Sequence, residues 1–364
     1  MPKHRIYKPL GNILLVWDRI GDYHAARYLE LQKTVGNGNV FISDLGGADA
    51  IYKWKNPLSE NPNYLPLSNK PVEKSAIYLR LKNFISIIRK KNIRIVGLAG
   101  YGRIEYLLIL ILSKFLGVQI VLFAESWYGA NLLINRLKGF ILNILCQGFL
   151  VSGKRAKEHF SNKLKIPVRK IEIGYSAVDN AHFNSQNGVK KENILLCVAR
   201  FSEEKNLQNL IIAFKKSSLS KTWKLNIVGG GPLKETLQKE IGNQTNIQLS
   251  DWSSYSALPF IYAHASFFIL PSKFEPWGLV ANEAMAAGLP IALSTQCGCM
   301  PDLIDETEGL SFDAENNVSI INTLNKIALF TTAELKVLSK KNKEKIEEFS
   351  VHVWAKKFTT LASS

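Results

Sequence analysis

Cysteine is scarce in these 364 residues: four stand at positions 146, 197, 297 and 299, too few for a disulfide scaffold. Cys297 and Cys299 have one residue between them and no second pair or nearby histidine, so they read as ordinary thiols rather than a metal clip. A reduced, cytoplasmic setting is the simplest expectation. Proline (13) and glycine (24) are too few and too scattered for a collagen-like or low-complexity chain. A clean apolar run of membrane-spanning length is also lacking. The most hydrophobic stretch, 107–124, is interrupted by Ser113, Lys114, Gly117 and Gln119. It reads as a buried helix, a turn at Gly117 and a buried strand. The apolar run Ile13–Trp17 is too short for a signal-peptide core, so no targeting segment is expected.

What is present is ordinary in bulk and uneven in distribution. Hydrophobic residues are 46% and charged residues 21%, a composition that packs, and the length suggests two domains. Residues 1–183 carry 27 Lys and Arg against 12 Asp and Glu, a net +15, while residues 184–364 carry 19 against 18. A field so one-sided concentrates an anionic partner on the first half: nucleic acid, an acidic lipid surface or a phosphorylated substrate. A merely basic soluble surface is the plainer alternative.

Short apolar runs of strand type alternate with helical patterns. In the first half the strands are Asn12–Trp17, Asn39–Ile42, Arg94–Leu98, Gln119–Phe123 and Gly148–Ser152, with helices near 23–33, 74–91, 103–116 and 154–163. After an Asn/Ser/Gly-rich loop the pattern restarts, with strands at 193–198, 224–228, 247–249, 266–270 and 290–294. Such alternation predicts parallel, doubly wound α/β sheets. The expected division is a domain over 1–183, a linker over 184–192, a domain over 193–345 and a C-terminal helix over 346–364. Two such domains would face across a cleft, lined by the carboxyl ends of both sheets, where ligands are expected.

Three motifs in the second half carry chemistry. In Val198-Ala199-Arg200-Phe201-Ser202-Glu203-Glu204-Lys205 a strand delivers Arg200 to its end and Lys205 opens the next helix, two cations suited to a diphosphate. Both would serve equally in a salt bridge with Glu203 or Glu204. Gly229-Gly230-Gly231-Pro232 joins a strand to a helix, where glycine admits close backbone approach and a helix N-terminus favours an anion. A tight turn needing positive φ explains it as well. In the segment from Glu275 to Gly288 a helix starts near Gly278, and the N–H groups of Gly278, Leu279 and Val280 face the space of Glu275. Glu283 sits among Ala281, Ala284 and Ala287, where a carboxylate is costly without a polar partner. The plain readings are a surface turn for Glu275 and a solvated helix position for Glu283.

Taken in order, the Arg200…Lys205 pair, the Gly229–Pro232 turn and two glutamates with seven residues between them resemble the donor domain of glycosyltransferase family 4, retaining enzymes of GT-B architecture. The segment Ser294–Ile304 resembles the loop that closes that site. The resemblance implies two Rossmann-like domains, with the C-terminal helix packing back on the first. It implies that Arg200 and Lys205 neutralise the departing nucleotide diphosphate and that Gly230, Gly278, Leu279 and Val280 contribute to donor binding. Glu283 would bind the ribose hydroxyls, Glu275 would hold the donor sugar, and Glu275, Arg200 and Lys205 would be the catalytic set. No metal or other cofactor is implied. Trp252 or Ser253 would lie near the base.

The first half resembles the family in outline only. Gly21 stands alone where a double-glycine loop is common, His24 follows it as a donor or acceptor contact or a structural residue, and Glu125 replaces a frequent histidine. These three are the expected cleft-side residues. A basic amphipathic helix over 74–91, with Arg80, Lys82, Arg89 and Lys90 among Ile and Leu, suits either an anionic membrane or an outer layer of the fold.

The expected function is metal-independent, retaining transfer of a hexose from a UDP- or GDP-linked sugar to a glycan or lipid-linked acceptor in cell-surface polysaccharide or glycolipid synthesis. The place expected is cytoplasmic, peripheral on the inner face of the membrane. Rivals are a sugar-nucleotide epimerase of the same architecture and a basic nucleic-acid-binding module. The latter is disfavoured because aromatics do not interleave with the basic runs.

Overall fold

The structure is a computed structural model and describes residues 10–36, 39–46, 56–129, 131–186, 188–304 and 310–364. Its contacts divide the chain into two units, one running to Ala177 and resuming at Val351, the other spanning Val178–Ser350. The division falls upstream of the 184–192 loop, because Val178 already bridges to Ser350 and helix Asn180–Phe183 packs in the second unit.

The elements of the first unit run β1 (Asn12–Trp17), α1 (Asp22–Val35), β2 (Val40–Asp44), α2 (Ile77–Lys90), β3 (Ile93–Ala99), α3 (Ile104–Phe115), β4 (Gln119–Ala124), α4 (Leu132–Leu145), β5 (Gly148–Val151) and β6 (Ile171–Ile173). The six strands form a parallel sheet in the order β2-β1-β3-β4-β5-β6. The two-residue period of a strand splits the apolar run of β1 between two cores. Leu14 and Val16 enter one core, with Phe84 of α2 and Ile109 of α3; Ile13, Leu15 and Trp17 enter the other, with Tyr28 of α1. The second core is closed by the returning chain: Trp354 and Phe358 of helix Val351–Ala362 stack 5.6 Å apart and meet Phe123 of β4 at 5.7 and 5.9 Å.

The C-terminal helix expected over 346–364 begins at Val351 and lies in the first unit, and the stretch before it holds a separate helix, Thr332–Ile346, in the second. In the stretch expected as a buried helix then a buried strand, β4 is buried, whereas α3 buries only one face, with Tyr106, Ile109 and Leu110, and leaves Leu107, Ile111 and Phe115 exposed. Helix α2 sends Phe84 and Ile88 into the core and turns Arg80 inward to a 2.6 Å pair with Glu105, so Arg80 belongs to the packing, not to a lipid-facing basic row.

The second unit repeats the scheme with β7 (Ile194–Val198), β8 (Lys224–Val228), β9 (Ile247–Ser250), β10 (Phe267–Leu270), β11 (Ile291–Ser294) and β12 (Ser311–Phe312), all parallel, in the order β12-β11-β10-β7-β8-β9. Strands β7, β10 and β11 at its centre are buried almost throughout, as a sheet covered on both faces requires. The fold class is α/β, with a parallel, doubly wound six-stranded sheet in each unit.

Candidate active site

In the second unit the loops after β7, β8 and β10 converge at the carboxyl end of the sheet. Beyond β7, Phe201 is fully buried, donates its N–H to Gly230 O at 2.9 Å and accepts from Leu233 N–H at 3.1 Å. Exposed Arg200 is thereby held between two buried neighbours. The glycines explain the closeness. Gly229 and Gly231 have φ of +155° and +153°, and a Cβ on either would stand 1.9 Å from Ala199 O or 2.6 Å from Phe201 O. Only glycine tolerates both the backbone angle and the approach. At Gly230 a Cβ would meet the Trp252 ring at 2.7 Å, so that indole lies across the turn.

The turn Glu203–Lys205 is fastened by Ser202 Oγ donating to Glu204 at 2.6 Å and by Lys273 N–H donating to Glu204 O at 2.8 Å. It aims Lys205 Nζ at Glu275 Oε2 in a direct ion pair whose side chains are 17% and 14% exposed. Glu275 is thus not a free surface residue. Its backbone is held by the loop after β11, where Gly298 N–H donates to Glu275 O at 2.9 Å and Cys299 N–H to Trp277 O at 3.2 Å. Segment 297–299 therefore walls the site, a part of the 294–304 loop whose role spacing does not reveal. The thiols of Cys197 and Cys297 are pushed up to about 12, chiefly by burial, and Cys299 also upward, so all three are neutral.

Gly278, with φ +106°, caps helix Leu279–Ala286, and Trp277 Nε1 pins the turn by donating to Asn282 at 2.9 Å. The first turn of that helix leaves N–H groups of Leu279 and Val280 without intrahelical acceptors. A Cβ on Gly278 would lie 3.3 Å from Glu275 Cγ, which puts the helix start beside the Lys205–Glu275 pair. Glu283 is fully buried and accepts from Tyr262 OH at 2.6 Å. The solvated reading of Glu283 is excluded, and Tyr262 is the polar partner that a carboxylate among alanines demands. Sequence reasoning missed Tyr262; its only signal is a tyrosine following the apolar run Leu258–Ile261 in the helix Leu258–His264.

In the first unit, Gly21 is the N-cap of α1 and donates its N–H to His24 Nδ1 at 3.1 Å. The accepting nitrogen is unprotonated, and burial, then the nearby Arg27 charge, lowers the ring's pKa to about 3. His24 packs 4.9 Å from Trp17, so it has a structural task. Glu125 follows β4 and accepts from Ser176 Oγ at 2.9 Å. Near them Arg27, 2% exposed, donates to Ala177 O at 3.0 Å and lies 4.7 Å over the Tyr175 ring. Neither Arg27 nor Tyr175 stands out in sequence.

Residues 178–345 match the family model for glycosyl transferases group 1, starting where the second unit starts. Among curated relatives, an uncharacterized glycosyltransferase of Methanocaldococcus jannaschii is 28% identical over 191 residues, 48% of this chain and 49% of that protein. The sulfoquinovosyl transferase SQD2 of Arabidopsis thaliana is 30% identical over 186 residues, 47% and 34% respectively. The chain thus spans half or less of the length of these relatives. Solved structures align over nearly the whole chain. A glycosyltransferase of Rickettsia africae superposes with a TM-score of 0.77 at 15% identity, covering 97% of this chain and 98% of that one. Anabaena HepE in complex with UDP and glucose gives 0.72 at 16%, covering 97% and 100%. At such identity the likeness extends the GT-B fold to the first unit and leaves the transferase domain's own motifs to speak for chemistry.

Proposed function

We propose that the protein is a retaining glycosyltransferase that moves a hexose from a UDP- or GDP-linked sugar to a hydroxyl of a glycan or lipid-linked acceptor, without a metal. The observation that carries this reading is the Lys205–Glu275 pair set beside the left-handed Gly278 that opens the helix bearing Glu283. One small space then offers a cation, unpaired helix N–H groups and a carboxylate. These are the groups needed to hold a diphosphate on one side and sugar hydroxyls on the other.

In this reading Arg200, Lys205 and the N–H groups of Gly278, Leu279 and Val280 take the diphosphate, with Gly230 close by. Lys205 leaves Glu275 for the phosphate, and the released carboxylate receives donor-sugar hydroxyls. The acceptor oxygen attacks the anomeric carbon on the face from which the nucleotide departs. The bond to the phosphate oxygen breaks, and the acceptor proton passes to that departing oxygen. The two cations stabilise the charge that develops there, the task a metal performs in other transferases. Glu283 serves the ribose hydroxyls, which requires its buried carboxylate to be uncovered as the nucleotide enters. Gly21, His24 and Glu125 are assigned to the acceptor side by the family resemblance alone.

UDP and UDP-glucose occupy related structures of Anabaena HepE, which favours UDP for the first trial. Thermal unfolding with UDP, GDP, ADP, CMP and dTDP, each with magnesium and with chelator, tests the reading. A ligand at a hundred times its dissociation constant adds about 2.7 kcal/mol, an upward shift that is easily read. One diphosphate shifting the transition equally with and without magnesium is the expected result. No shift with any nucleotide overturns it, and consumption of a sugar nucleotide without acceptor identifies an epimerase instead.

A further inference from the structure

The outward faces of α3 and α4 are apolar, the reverse of what an outer helix of an α/β unit presents to water. In α4 the residues turned inward are Asn135, Gly139 and Leu142. Gly139 brings the helix so close to the next segment that a Cβ would sit 1.7 Å from Leu164 O. The outward stripe, at helical spacing, is Leu133, Leu137, Phe140 and Ile144, exposed by 76, 63, 66 and 49%. Helix α3 adds a second stripe, Ile104, Leu107, Ile111 and Phe115, the last 85% exposed. The two helices are neighbours in the layer over the same sheet face. Single exposed apolar residues need no explanation, but two adjacent stripes mark an interaction surface.

Charge decides what covers it. Arg136 and Lys138 lie exposed within α4, Lys114 on α3 and Lys163 on the segment packed beside α4. The only carboxylate on either helix is Glu105, 5% exposed and paired with Arg80. Residues 101–170 hold eleven Lys and Arg against three Asp and Glu. A second copy seated on this face would bring these cations against their own images, which costs free energy. An anionic bilayer takes the apolar stripes into its headgroup boundary and the cations onto its phosphates. No helix among the described residues is long and apolar enough to cross a membrane. The 14 residues of α4 suit a position in the interface plane.

We infer that the α3–α4 face is the surface by which this protein docks on an anionic lipid bilayer. The inference does not rest on the transferase reading, since it concerns a helix layer remote in sequence from the donor motifs. The test is co-flotation of the full chain with vesicles of phosphatidylcholine alone or of phosphatidylcholine and phosphatidylglycerol in a two-to-one ratio. The expected result is binding to the mixed vesicles, at least about tenfold weaker without the anionic lipid and weakened by salt. The triple variant L133S/L137S/F140S should bind the mixed vesicles at least about tenfold more weakly. It changes only exposed residues, so its melting temperature should match the parent's. The variant R136E/K138E, with the apolar stripe intact, should lose the preference for anionic lipid. Failure of the parent to float with the mixed vesicles overturns the inference, as does unaltered binding by both variants. A parent dimer that the triple substitution makes monomeric, with no lipid binding by either protein, assigns the face to a second copy and also overturns it.

Discussion

Lys205 and Glu275 hold each other in a half-buried pair, and removing one partner is not the mirror of removing the other. Lys205→Ala leaves a partly buried carboxylate uncompensated and deletes a phosphate cation, so both stability and nucleotide affinity should fall, the former by about 1–3 kcal/mol. Glu275→Gln leaves the cation for the phosphate, so nucleotide affinity should hold while turnover falls, a split visible by calorimetry beside a transfer assay. Arg200→Ala should lower turnover at least about 100-fold, equal to about 2.7 kcal/mol of transition-state stabilisation. Near-normal turnover would mean the charge is managed elsewhere. Glu283→Ala should weaken nucleotide binding; unchanged affinity would leave the buried Glu283 with Tyr262 as its whole role. His24 gives a pH test. Its pKa is lowered from 6.5 to about 3, so the unfolded chain binds the proton more readily. Its contribution to stability is complete above about pH 6.5 and is lost as pH falls toward 3. Gln at the same helix position can still accept from the Gly21 N–H. His24→Gln should therefore flatten the fall in unfolding free energy over that window. A slope equal to the parent's would place the linkage on other groups.

At the scale of the element, α4 depends on one close approach. Gly139→Ala gains up to about 1 kcal/mol of helix propensity. Yet its Cβ would overlap a backbone carbonyl, an atom unable to swing aside as a side-chain tip would. Packing should win, with a net loss of about 1–3 kcal/mol in denaturant unfolding; a gain in stability would mean α4 stands off the 164 segment. The same helix shows why part of the fold was illegible. Strands β1, β4, β7 and β10 could be read because buried parallel strands are short apolar runs between turns. Between Phe123 and Gly148 no element is expected from sequence, because a helix that buries Asn135 and Gly139 and exposes leucines lacks the usual signature of a core-facing face. The motifs of the second unit stand out in sequence because each joins a backbone demand to a chemical one, as at Gly278 beside Glu275. That Lys205 would turn to Glu275, or Glu283 to Tyr262, depends on tertiary placement that spacing along one chain does not encode. The start of the C-terminal helix, expected at 346 and found at Val351, is blurred in sequence because Glu347–Phe349 forms a 3₁₀ turn and Ser350 alone breaks the helical backbone.

At the scale of the whole molecule, the chain's last helix belongs to the unit where the chain began. Trp354, Phe358 and Leu361 fill the core that Trp17, Tyr28 and Phe123 leave open on one face of the first sheet. Burying each such side chain contributes about 1.5–3 kcal/mol, so the three together rival the roughly 5–15 kcal/mol that stabilises a typical domain. The second unit closes its own layers between Val178 and Ser350. Truncation after Ser350 should therefore act unequally. The first unit should lose cooperative unfolding and become susceptible to protease within residues 10–177, while the transferase domain keeps its protected core and any shift it shows with a nucleotide diphosphate. Limited proteolysis with mass mapping, run beside the thermal assay, separates the two halves. Uniform protection of the first unit after truncation would show that its sheet is stable with one face bare. Equal loss in both units would show that they fold as one cooperative body, and stability changes in the transferase domain would then have to be read through the entire chain.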